Sequence, residues 1–579
     1  MIDGCNTGMF TPAEPDTPSA MKTHILFLGI SALILQTLHA QTYVSGGIYT
    51  NTTWTAANSP YIVTDTIVVF PGVSLTLQPG VTVKFGDNKR IEIRQAKLVA
   101  MGSADDSIRF TSNSASPAPG IYAGIYLNGG NHTSVLDYCT FSYADIGLNA
   151  TVTDSLVVDH SDFRQNITGL QFIGAGINEV ATVGQSLFRN NISQGLLLKK
   201  LRNSAISFCN FTNNGSEGLL LDDMQGQMAV NLDDCNFSYN ATGMRSSMHH
   251  LHTDRCNFLN NGNGLEGFGY MSPFDSYSNT VKNSVFNFNE TGIAGIARMQ
   301  FDSCTMSHNQ SGSISGGVNR IRNCSIDSNN VLGISTFNDS VINCRVNYNG
   351  EGIRCGSLSV ISGNTIEFNT GANISSAAGT TVITGNTISN GAVGIDNTEP
   401  GTMVITHNVI ENNNLGINLA GANTGLTCNR ICNNTTYDLK YNAAGNLEAG
   451  HNYWCTPDSA ATEAVIYDGY DNINDGIVSF MPLDSLCYLL TSIQETELKD
   501  PVHVYPNPFS AQAIIHTDKI FRQATLQLFN AFGQEVREVK NISAATFNLD
   551  RNDLPAGLYI LKVLQDNKVF STKIVITDR

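Results

Sequence analysis

Between Leu136 and Tyr437 the chain repeats one arrangement of apolar and polar positions about fourteen times, every 20 to 28 residues. An aliphatic residue is followed three positions later by a small slot filled with Cys, Ser or Asn, and two positions after that by an apolar residue. Three residues further stands an Asn, which a Gly-Ile or Gly-Leu pair often follows. Each period contains short strand-type patterns and no helical periodicity. This predicts an all-β solenoid in which each repeat is one coil and equivalent residues of successive coils stack about 4.8 Å apart.

Two columns of the repeat are predicted to form the core. The position two after the small slot is apolar in every repeat, and the position three before it is nearly as apolar, so we expect both columns to point inward and stack. The first column is Phe141, Phe163, Phe188, Phe211, Phe237, Phe258, Phe286, Met306, Ile326, Val346, Ile366, Ile388, Ile410 and Ile431. The second includes Leu136, Val158, Val183, Ile206, Leu232, Val281, Ile321 and Ile361.

A third column is polar. Five positions after the small slot an Asn stands in twelve repeats, from Asn166 to Asn434. Asn tolerates left-handed backbone and its amide can hydrogen-bond to the next coil, so we expect an Asn ladder at a bend. A structural column accounts for all of these residues at once, which a catalytic role does not.

Thirteen cysteines in a chain of this kind raise the question of disulfides. Seven of them share the small slot of the repeat, where we expect free, buried thiols that behave as small hydrophobes. These are Cys139, Cys209, Cys235, Cys256, Cys304, Cys324 and Cys344. Cys428 and Cys432, and likewise Cys455 and Cys487, lie off that column and are the better disulfide candidates. A metal at the first pair is not expected, because no His or Cys partner stands nearby at ligand spacing.

Charge and the N-terminus bear on location. A net charge of −17 argues against nucleic acid and anionic membrane surfaces as partners. Residues 21–40 carry Lys22, a short apolar run and a small-residue end at Ala40, the pattern of a secretory signal peptide. Residues 1–20 are predicted to be an upstream, non-native extension. No other stretch approaches about 20 apolar residues, so no transmembrane segment is expected once the signal is removed.

The repeats resemble the right-handed parallel β-helix proteins of the pectate-lyase-like and NosD-like type. The segment from Ile67 to Phe85 looks like their first coils, and His451–Trp454 followed by Gly476–Pro482 looks like their closing segment. The resemblance implies that residues 41–487 form a right-handed parallel β-helix. It implies no single activity, because this architecture carries many.

Past residue 487 the repeat ends. Residues 488–501 are predicted to be a linker, and residues 502–579 to form a small antiparallel Ig-like sandwich, because alternating strands are separated by Gly, Asn and Asp turns. This region is similar to the type A sorting domain of the type IX secretion system of Bacteroidetes. The matching residues are Tyr505, Pro506, Asn507, Pro508, Gly533, Gly557 and Tyr559. The resemblance implies recognition by the translocon and its sortase, with the protein secreted or held at the outer-membrane cell surface.

Candidate chemistry lies in the most polar stretch of the repeats. Two positions before the small slot stand aspartates that pair between neighbouring coils, Asp137 with Asp159 and Asp233 with Asp254. Stacked carboxylates repel, shift a pKa or hold a cation such as Ca²⁺. The predicted ligand or Ca²⁺ site residues are Asp222, Asp223, Asp233, His250, Asp254 and Arg255. The other interpretation of this stretch is a solvated outer face.

Three functions stay open at this point. The first is a binding, adhesin-like or structural protein with carbohydrate as its ligand and no obligatory cofactor. The second is a polysaccharide lyase or glycoside hydrolase, although the pattern shows mostly Asn, Ser, Thr and Gly where an enzyme needs converging carboxylates and a base. Val158–Ser161 is only faintly similar to a pectate-lyase segment. The third is a passive spacer with a uniform exterior.

Overall fold

The structure is a computed structural model, and it describes residues 41–130, 132–152, 155–176, 178–222, 229–247, 250–267, 279–317, 319–376, 379–397, 401–421, 424–456, 458–490, 503–516, 522–530, 534–565 and 568–577. The predicted extension (1–20), the predicted signal peptide (21–40), residues 491–501 of the predicted linker, Asp223 and Gly533 lie outside the described residues. The chain divides into two compact units, Met1–Leu490 and Thr491–Arg579.

The first unit is a parallel β-helix, as the repeat predicts. Each coil runs through three strands, and each strand pairs in parallel with the equivalent strands of the coils before and after it. We call the three stacks of strands the first, second and third face, in chain order within a coil. The predicted all-β class is confirmed; the described residues add one α-helix, Ser459–Glu463, and two 3-10 turns, Ala56–Asn58 and Cys487–Leu490.

The strand bounds follow the repeat. The first face consists of Thr52–Trp54, Ser74–Leu77, Lys97–Met101, Thr133–Asp137, Ser155–Asp159, Val180–Gly184, Asn203–Ser207, Ala229–Asp233, His250–Asp254, Asn279–Lys282, Met299–Asp302, Arg320–Arg322, Ser340–Ile342, Ser359–Ser362, Gly379–Thr384, Gly401–Thr406 and Thr424–Thr427. The second consists of Thr82–Phe85, Ile108–Ser112, Cys139–Ser142, Asp162–Arg164, Leu187–Arg189, Asn210–Thr212, Asn236–Ser238, Asn257–Leu259, Val285–Asn287, Thr305–Ser307, Ser325–Asp327, Arg345–Asn347, Thr365–Glu367, Thr387–Ser389, Val409–Glu411 and Arg430–Cys432. The third consists of Arg90–Arg94, Tyr122–Asn128, Ala144–Thr151, Thr168–Ile173, Leu196–Lys199, Glu217–Asp222, Thr242–Ser246, Asn263–Gly267, Thr291–Ala297, Gly312–Gly317, Leu332–Thr336, Glu351–Cys355, Ala372–Ser376, Val393–Asn397, Leu415–Leu419, Tyr437–Tyr441 and Ile466–Tyr467.

The two ends of the solenoid depart from this scheme. Thr42–Ile48 and Tyr61–Val69 pair with each other, and Tyr61–Val69 continues onto both the second and the third face. At the other end Leu447–Glu448 pairs with Val478–Ser479. The two tryptophans of the chain, Trp54 and Trp454, are buried near these opposite ends.

Single residues with left-handed backbone turn the chain at the two corners that flank the second face. At the first corner, between the first and second faces, examples are His160 (φ 42°) and Arg255 (φ 51°). At the second corner, between the second and third faces, examples are Asn260 (φ 57°) and Tyr348 (φ 57°). At the second corner the left-handed residue immediately precedes the ladder Asn and is not the ladder Asn itself, which corrects the expectation from the sequence.

The predicted core columns are confirmed. Seven phenylalanines of the first column, Phe141 to Phe286, are fully buried, and their rings stack with centroids 4.6 to 5.1 Å apart and nearly parallel planes. From Met306 onward the column continues with buried aliphatic side chains. The column therefore changes from aromatic to aliphatic side chains along the solenoid, and every position in it stays buried, as a close-packed interior requires.

The predicted Asn ladder is confirmed as a hydrogen-bonded column. The Oδ1 of Asn289 accepts both the backbone N–H (2.9 Å) and the Nδ2 (3.1 Å) of Asn261, one coil before it. The Nδ2 of Asn289 donates in turn to the Oδ1 of Asn309 and to the carbonyl of Phe258. Each buried amide thus satisfies the next, and the same pattern runs from Asn166 onward. Where Gly391 replaces the Asn of one coil, the side chain of Asn373 bridges from Asn369 to Asn413.

The seven cysteines of the small slot are free and buried, as predicted, and Cys355 is an eighth buried free thiol. The four remaining described cysteines form disulfides, as the sequence suggested. The partners are not the neighbours along the chain that the sequence analysis grouped together. Cys428 bonds to Cys487, and Cys432 bonds to Cys455. Cys455 lies one coil after Cys432, because Arg430 pairs with Tyr453, whereas Cys487 lies in the 3-10 turn that follows the coils. Both bonds therefore join the coil that holds the last strand of the second face to the closing segment.

One buried carboxylate ends the Asn ladder, and a second accepts backbone N–H groups elsewhere in the β-helix. The Oδ1 of Asp438 accepts both the backbone N–H (3.1 Å) and the Nδ2 (2.8 Å) of Asn434, so Asp438 ends the Asn ladder. Asp339 accepts the backbone N–H groups of Asn319 and Phe337. Burial raises the pKa of Asp438, and equally that of Asp339, to about 6, against the opposing effect of these hydrogen bonds.

Replacing Asp438 by Asn is expected to stabilise the protein at pH 8 by about 2 kcal/mol. A carboxyl whose pKa is higher in the folded than in the unfolded state favours folding while protonated; this contribution is complete below about pH 4 and is lost as the pH rises through about 6. An Asn stays neutral and its Oδ1 still accepts both bonds from Asn434. Urea unfolding at several pH values between 4 and 8 measures the change.

Asp339→Asn is the matched comparison for this prediction. In the unmodified protein the second carboxylate oxygen of Asp339 accepts the N–H of Phe337 at 3.0 Å. In the variant a carboxamide NH₂ would face this N–H, so that two donors would oppose each other. The gain at pH 8 is therefore expected to be smaller than for Asp438→Asn. An Asp438→Asn variant with the same pH dependence of stability as the unmodified protein would contradict the assignment.

The second unit is an antiparallel sandwich of two sheets, as predicted. One sheet contains His503–Tyr505, Gln512–His516 and Thr546–Asp550; the other contains Glu535–Ile542, Ala524–Asn530, Gly557–Gln565 and Lys568–Ile576. A separate apolar core, including Leu526, Leu561 and Ile574, lies between the sheets.

Candidate functional site

The predicted acidic site is divided between two places on the β-helix. Asp222 ends a strand of the third face, where its carboxylate accepts from the Lys199 ammonium at 2.5 Å. Asp233 and Asp254 end neighbouring strands of the first face. His250 is exposed at the start of the same strand that Asp254 ends, about four residues and therefore about 13 Å away along it. The structure does not bring Asp222 or His250 to the carboxylate pair.

Asp233 and Asp254 are register partners, so the predicted stacking of their backbones is confirmed. Arg255, the next residue at the first corner, forms an ion pair with Asp254 and two parallel hydrogen bonds with Asp234, at 2.9 and 2.8 Å. Asn283 donates to the other oxygen of Asp254 at 2.8 Å. Both Asp254 oxygens are therefore engaged by protein donors.

The charges of this group shift one another. Burial raises the pKa of Asp233, with Arg255 opposing and Asp254 adding to the rise. The Arg255 hydrogen bonds hold the pKa of Asp234 below its usual range. The same bond to Asp234 raises the pKa of the Arg255 guanidinium. The single guanidinium of Arg255 only partly offsets three carboxylates, and Ca²⁺ binding at Asp233 and Asp254 stays a prediction.

A run of aromatic side chains on the second corner was missed by the sequence interpretation. Phe288 and His308 lie in successive coils with ring centroids 4.9 Å apart, and Tyr348 and Phe368 likewise with centroids 5.1 Å apart. Ser328 lies between the two pairs in the same column. All four rings are exposed; Tyr348, for example, retains 54% of its accessible surface. We call Phe288, His308, Tyr348 and Phe368 the aromatic corner.

These rings occupy a costly backbone conformation. Each of the four residues has a φ between 56° and 58°. In other coils the equivalent position holds Asn260, Asn390 or Asn412, and Asn adopts left-handed backbone at lower cost than an aromatic residue. Aromatic side chains that accept this strain while about half of their surface stays exposed indicate a selected surface. The signal was present in the sequence, one residue before each ladder Asn.

Polar groups border the aromatic corner. Arg345 forms an ion pair with Asp327, the residue before Ser328. Glu367, the residue before Phe368, accepts from the Ser389 hydroxyl at 2.9 Å. Stacked rings that stay about half exposed beside hydrogen-bonding groups combine the apolar and polar contacts that a sugar ring makes.

In the sandwich, part of the predicted sorting motif is structurally anchored. The side chain of Asn507 donates to the carbonyl of Lys573 at 2.9 Å and accepts the N–H of Val575 at 2.8 Å, which fixes the opening segment to the last strand. Tyr559 is buried, and its hydroxyl donates to the carbonyl of Pro555 at 2.7 Å. Tyr505 is exposed, and Gly557 begins the strand that contains Tyr559.

Two family models match the chain. The one described as "Right handed beta helix region" matches residues 123–273, and the one described as "Secretion system C-terminal sorting domain" matches residues 503–577. No curated protein matches. The chain therefore carries a right-handed β-helix followed by a sorting domain that directs export through the type IX secretion system, as the sequence resemblances implied.

The solved structures that this chain matches share little sequence with it. The Agl-KA catalytic domain is 15% identical, with a TM-score of 0.29, and the match covers 54% of this chain and 59% of that domain. The Azotobacter vinelandii mannuronan C-5 epimerase AlgE6 A-module is 13% identical, with a TM-score of 0.22, covering 67% of this chain and 90% of that module. A mutant tailspike protein of E. coli bacteriophage HK620, in complex with a pentasaccharide, is 11% identical, with a TM-score of 0.22, covering 88% and 86%.

Among the described residues, no helix has the length and apolar character needed to cross a membrane.

Proposed function

We propose that this exported β-helix binds carbohydrate along its aromatic corner, and that sortase processing of the C-terminal domain leaves it at, or releases it from, the outer-membrane surface. The observation that supports the proposal is the exposed stacking of Phe288 with His308 and of Tyr348 with Phe368 in left-handed positions. The column spans five coils, about 20 Å from first to last ring. That length accommodates several sugar units of an extended chain.

The charge of the border favours a glycan with free hydroxyl groups. Arg345 and Asp327 neutralise each other, and Glu367 adds a carboxylate beside Phe368. The guanidinium can donate to sugar hydroxyl groups and the carboxylates can accept from them. Because the cation is paired, this border does not attract a polyanion. The chain as a whole is acidic, at −17, which further disfavours polyanionic chains. The ligand class is therefore a neutral polysaccharide.

The double substitution Tyr348→Asn and Phe368→Asn is expected to weaken binding of a neutral polysaccharide about tenfold, because each lost ring contact contributes about 0.5–1.5 kcal/mol. Asn already fills this corner in other coils, so thermal stability should be unchanged or slightly higher. Affinity electrophoresis against a panel of neutral and acidic polysaccharides, with cleavage assayed in parallel, measures the effect.

Phe208→Asn is the matched control. Phe208 is an exposed aromatic residue in left-handed backbone (φ 55°), but it lies on the first corner. Its replacement should leave glycan binding unchanged. Equal retention by the unmodified protein and the double variant on every polysaccharide would refute the proposed surface, and cleavage of any of them would favour the lyase or hydrolase alternative.

A further inference from the structure

A second group of side chains, on the first corner of an earlier coil, has the composition of a metal site. Asp137 and Asp159 end neighbouring strands of the first face and are register partners. His160 follows Asp159 at the corner. Its Nδ1 lies 3.1 Å from an Asp137 oxygen and 3.5 Å from an Asp159 oxygen. One ligand atom from each of the three residues falls within 4.8 Å of the others.

The surroundings hold the imidazole and accommodate the Asp159 carboxylate, whose Oδ1 also accepts the backbone N–H of His160 at 3.1 Å. The ring of Tyr138 stacks on that of His160 with centroids 4.3 Å apart and planes 5° apart, which fixes the plane of the imidazole. In the next coil the position beside Asp159 is Gly184. A Cβ at Gly184 would come within 2.8 Å of the Asp159 Oδ1, so the carboxylate occupies space that any other residue would fill.

The later coils carry a related group that differs at three places: Asp234 stands where the earlier group has Tyr138, Arg255 where it has His160, and Lys282 where it has Gly184. Asp233, Asp254 and Arg255 occupy the slots that Asp137, Asp159 and His160 occupy in the earlier coils. In the later group the permanently charged guanidinium of Arg255 forms an ion pair with Asp254 and offers no lone pair to a metal. In the earlier group the corner residue is a His, which becomes a nitrogen ligand when neutral.

We propose that Asp137, Asp159 and His160 form a binding site for a divalent transition-metal ion of the Zn²⁺ class, with one oxygen from each carboxylate and the Nδ1 of His160 as ligands. Three protein ligands leave coordination positions for water. The imidazole nitrogen selects this class over Ca²⁺, which takes six to eight oxygen ligands. The site is separate from the aromatic corner and does not depend on the carbohydrate proposal.

Isothermal titration of the full chain with Zn²⁺ tests the site, with the Co²⁺ absorption spectrum as a second readout that is specific for the ligands. The unmodified protein is expected to bind Zn²⁺ more tightly than Ca²⁺, and more weakly as the pH falls, because protons compete for the imidazole. His160→Arg copies the arrangement at Arg255, a residue the fold already accepts at this corner. It should lower Zn²⁺ affinity at least about tenfold, as should Asp159→Asn.

Two controls locate the effect. Asp254→Asn changes the equivalent carboxylate of the later group, and His407→Ala removes the imidazole beside the Cys428–Cys487 disulfide. Both should bind Zn²⁺ as the unmodified protein does, and circular dichroism should show the same fold for all variants. The proposal is overturned if the unmodified protein binds no Zn²⁺, if His160→Arg retains full affinity, or if Ca²⁺ binds at the site as tightly as Zn²⁺.

Discussion

Replacing Asn289 by Ala is expected to lower the free energy of unfolding by about 4 kcal/mol, because four buried hydrogen bonds are lost at once. The groups that lose a bond are the backbone N–H and the Nδ2 of Asn261, the Oδ1 of Asn309 and the carbonyl of Phe258. Asn289 itself is fully buried, so water does not replace the lost bonds without opening the coil. The fluorescence of Trp54 and Trp454 during urea unfolding reports the change at both ends of the solenoid.

Two comparison variants separate the ladder from the general effect of losing an Asn. Asn231 is exposed on the first face, and Asn231→Ala should change stability by less than about 0.5 kcal/mol. Asn289→Asp keeps an oxygen that accepts from Asn261 but loses the amide donors and buries a charge, so it should also destabilise strongly. A loss for Asn289→Ala no greater than for Asn231→Ala would show that the ladder does not stabilise the fold.

The architecture was predictable because its determinants recur. The apolar columns, the small slot and the buried Asn each return at a fixed place in the repeat. The role of each column is therefore supported by many coils at once and does not depend on any single residue. Coil stacking then follows, since equivalent residues must be neighbours. The sorting domain was predictable for another reason. Its motif residues stand in order in a short segment, and Asn507 and Tyr559 make contacts that need those side chains.

The candidate sites were less predictable, because they depend on where a coil turns. Asp222 and Asp233 are close in sequence, but they lie on different faces, and the pattern between them does not reveal the corner. The disulfide pairing likewise depends on how the closing segment lies against the last coil rather than on distance along the chain. The aromatic corner was overlooked because its column varies between Asn, Ser and aromatic residues, and only exposure distinguishes it from the inward-facing columns.

Replacing Phe211 by Ala is expected to destabilise the β-helix by about 4 kcal/mol, as much as replacing Asn289 by Ala. Phe211 is fully buried, and its ring stacks between Phe188 (5.0 Å between centroids) and Phe237 (4.6 Å). Ala in its place leaves a cavity that neighbouring coils cannot close, because their backbone hydrogen bonds fix the spacing of the stack.

Phe208 supplies the control: it lies three residues earlier and is 60% exposed, so Phe208→Asn should be neutral or stabilising. Urea midpoints of the two variants measure the contrast. Similar losses for both would mean that the continuous ring stack adds no more to stability than an exposed aromatic side chain does.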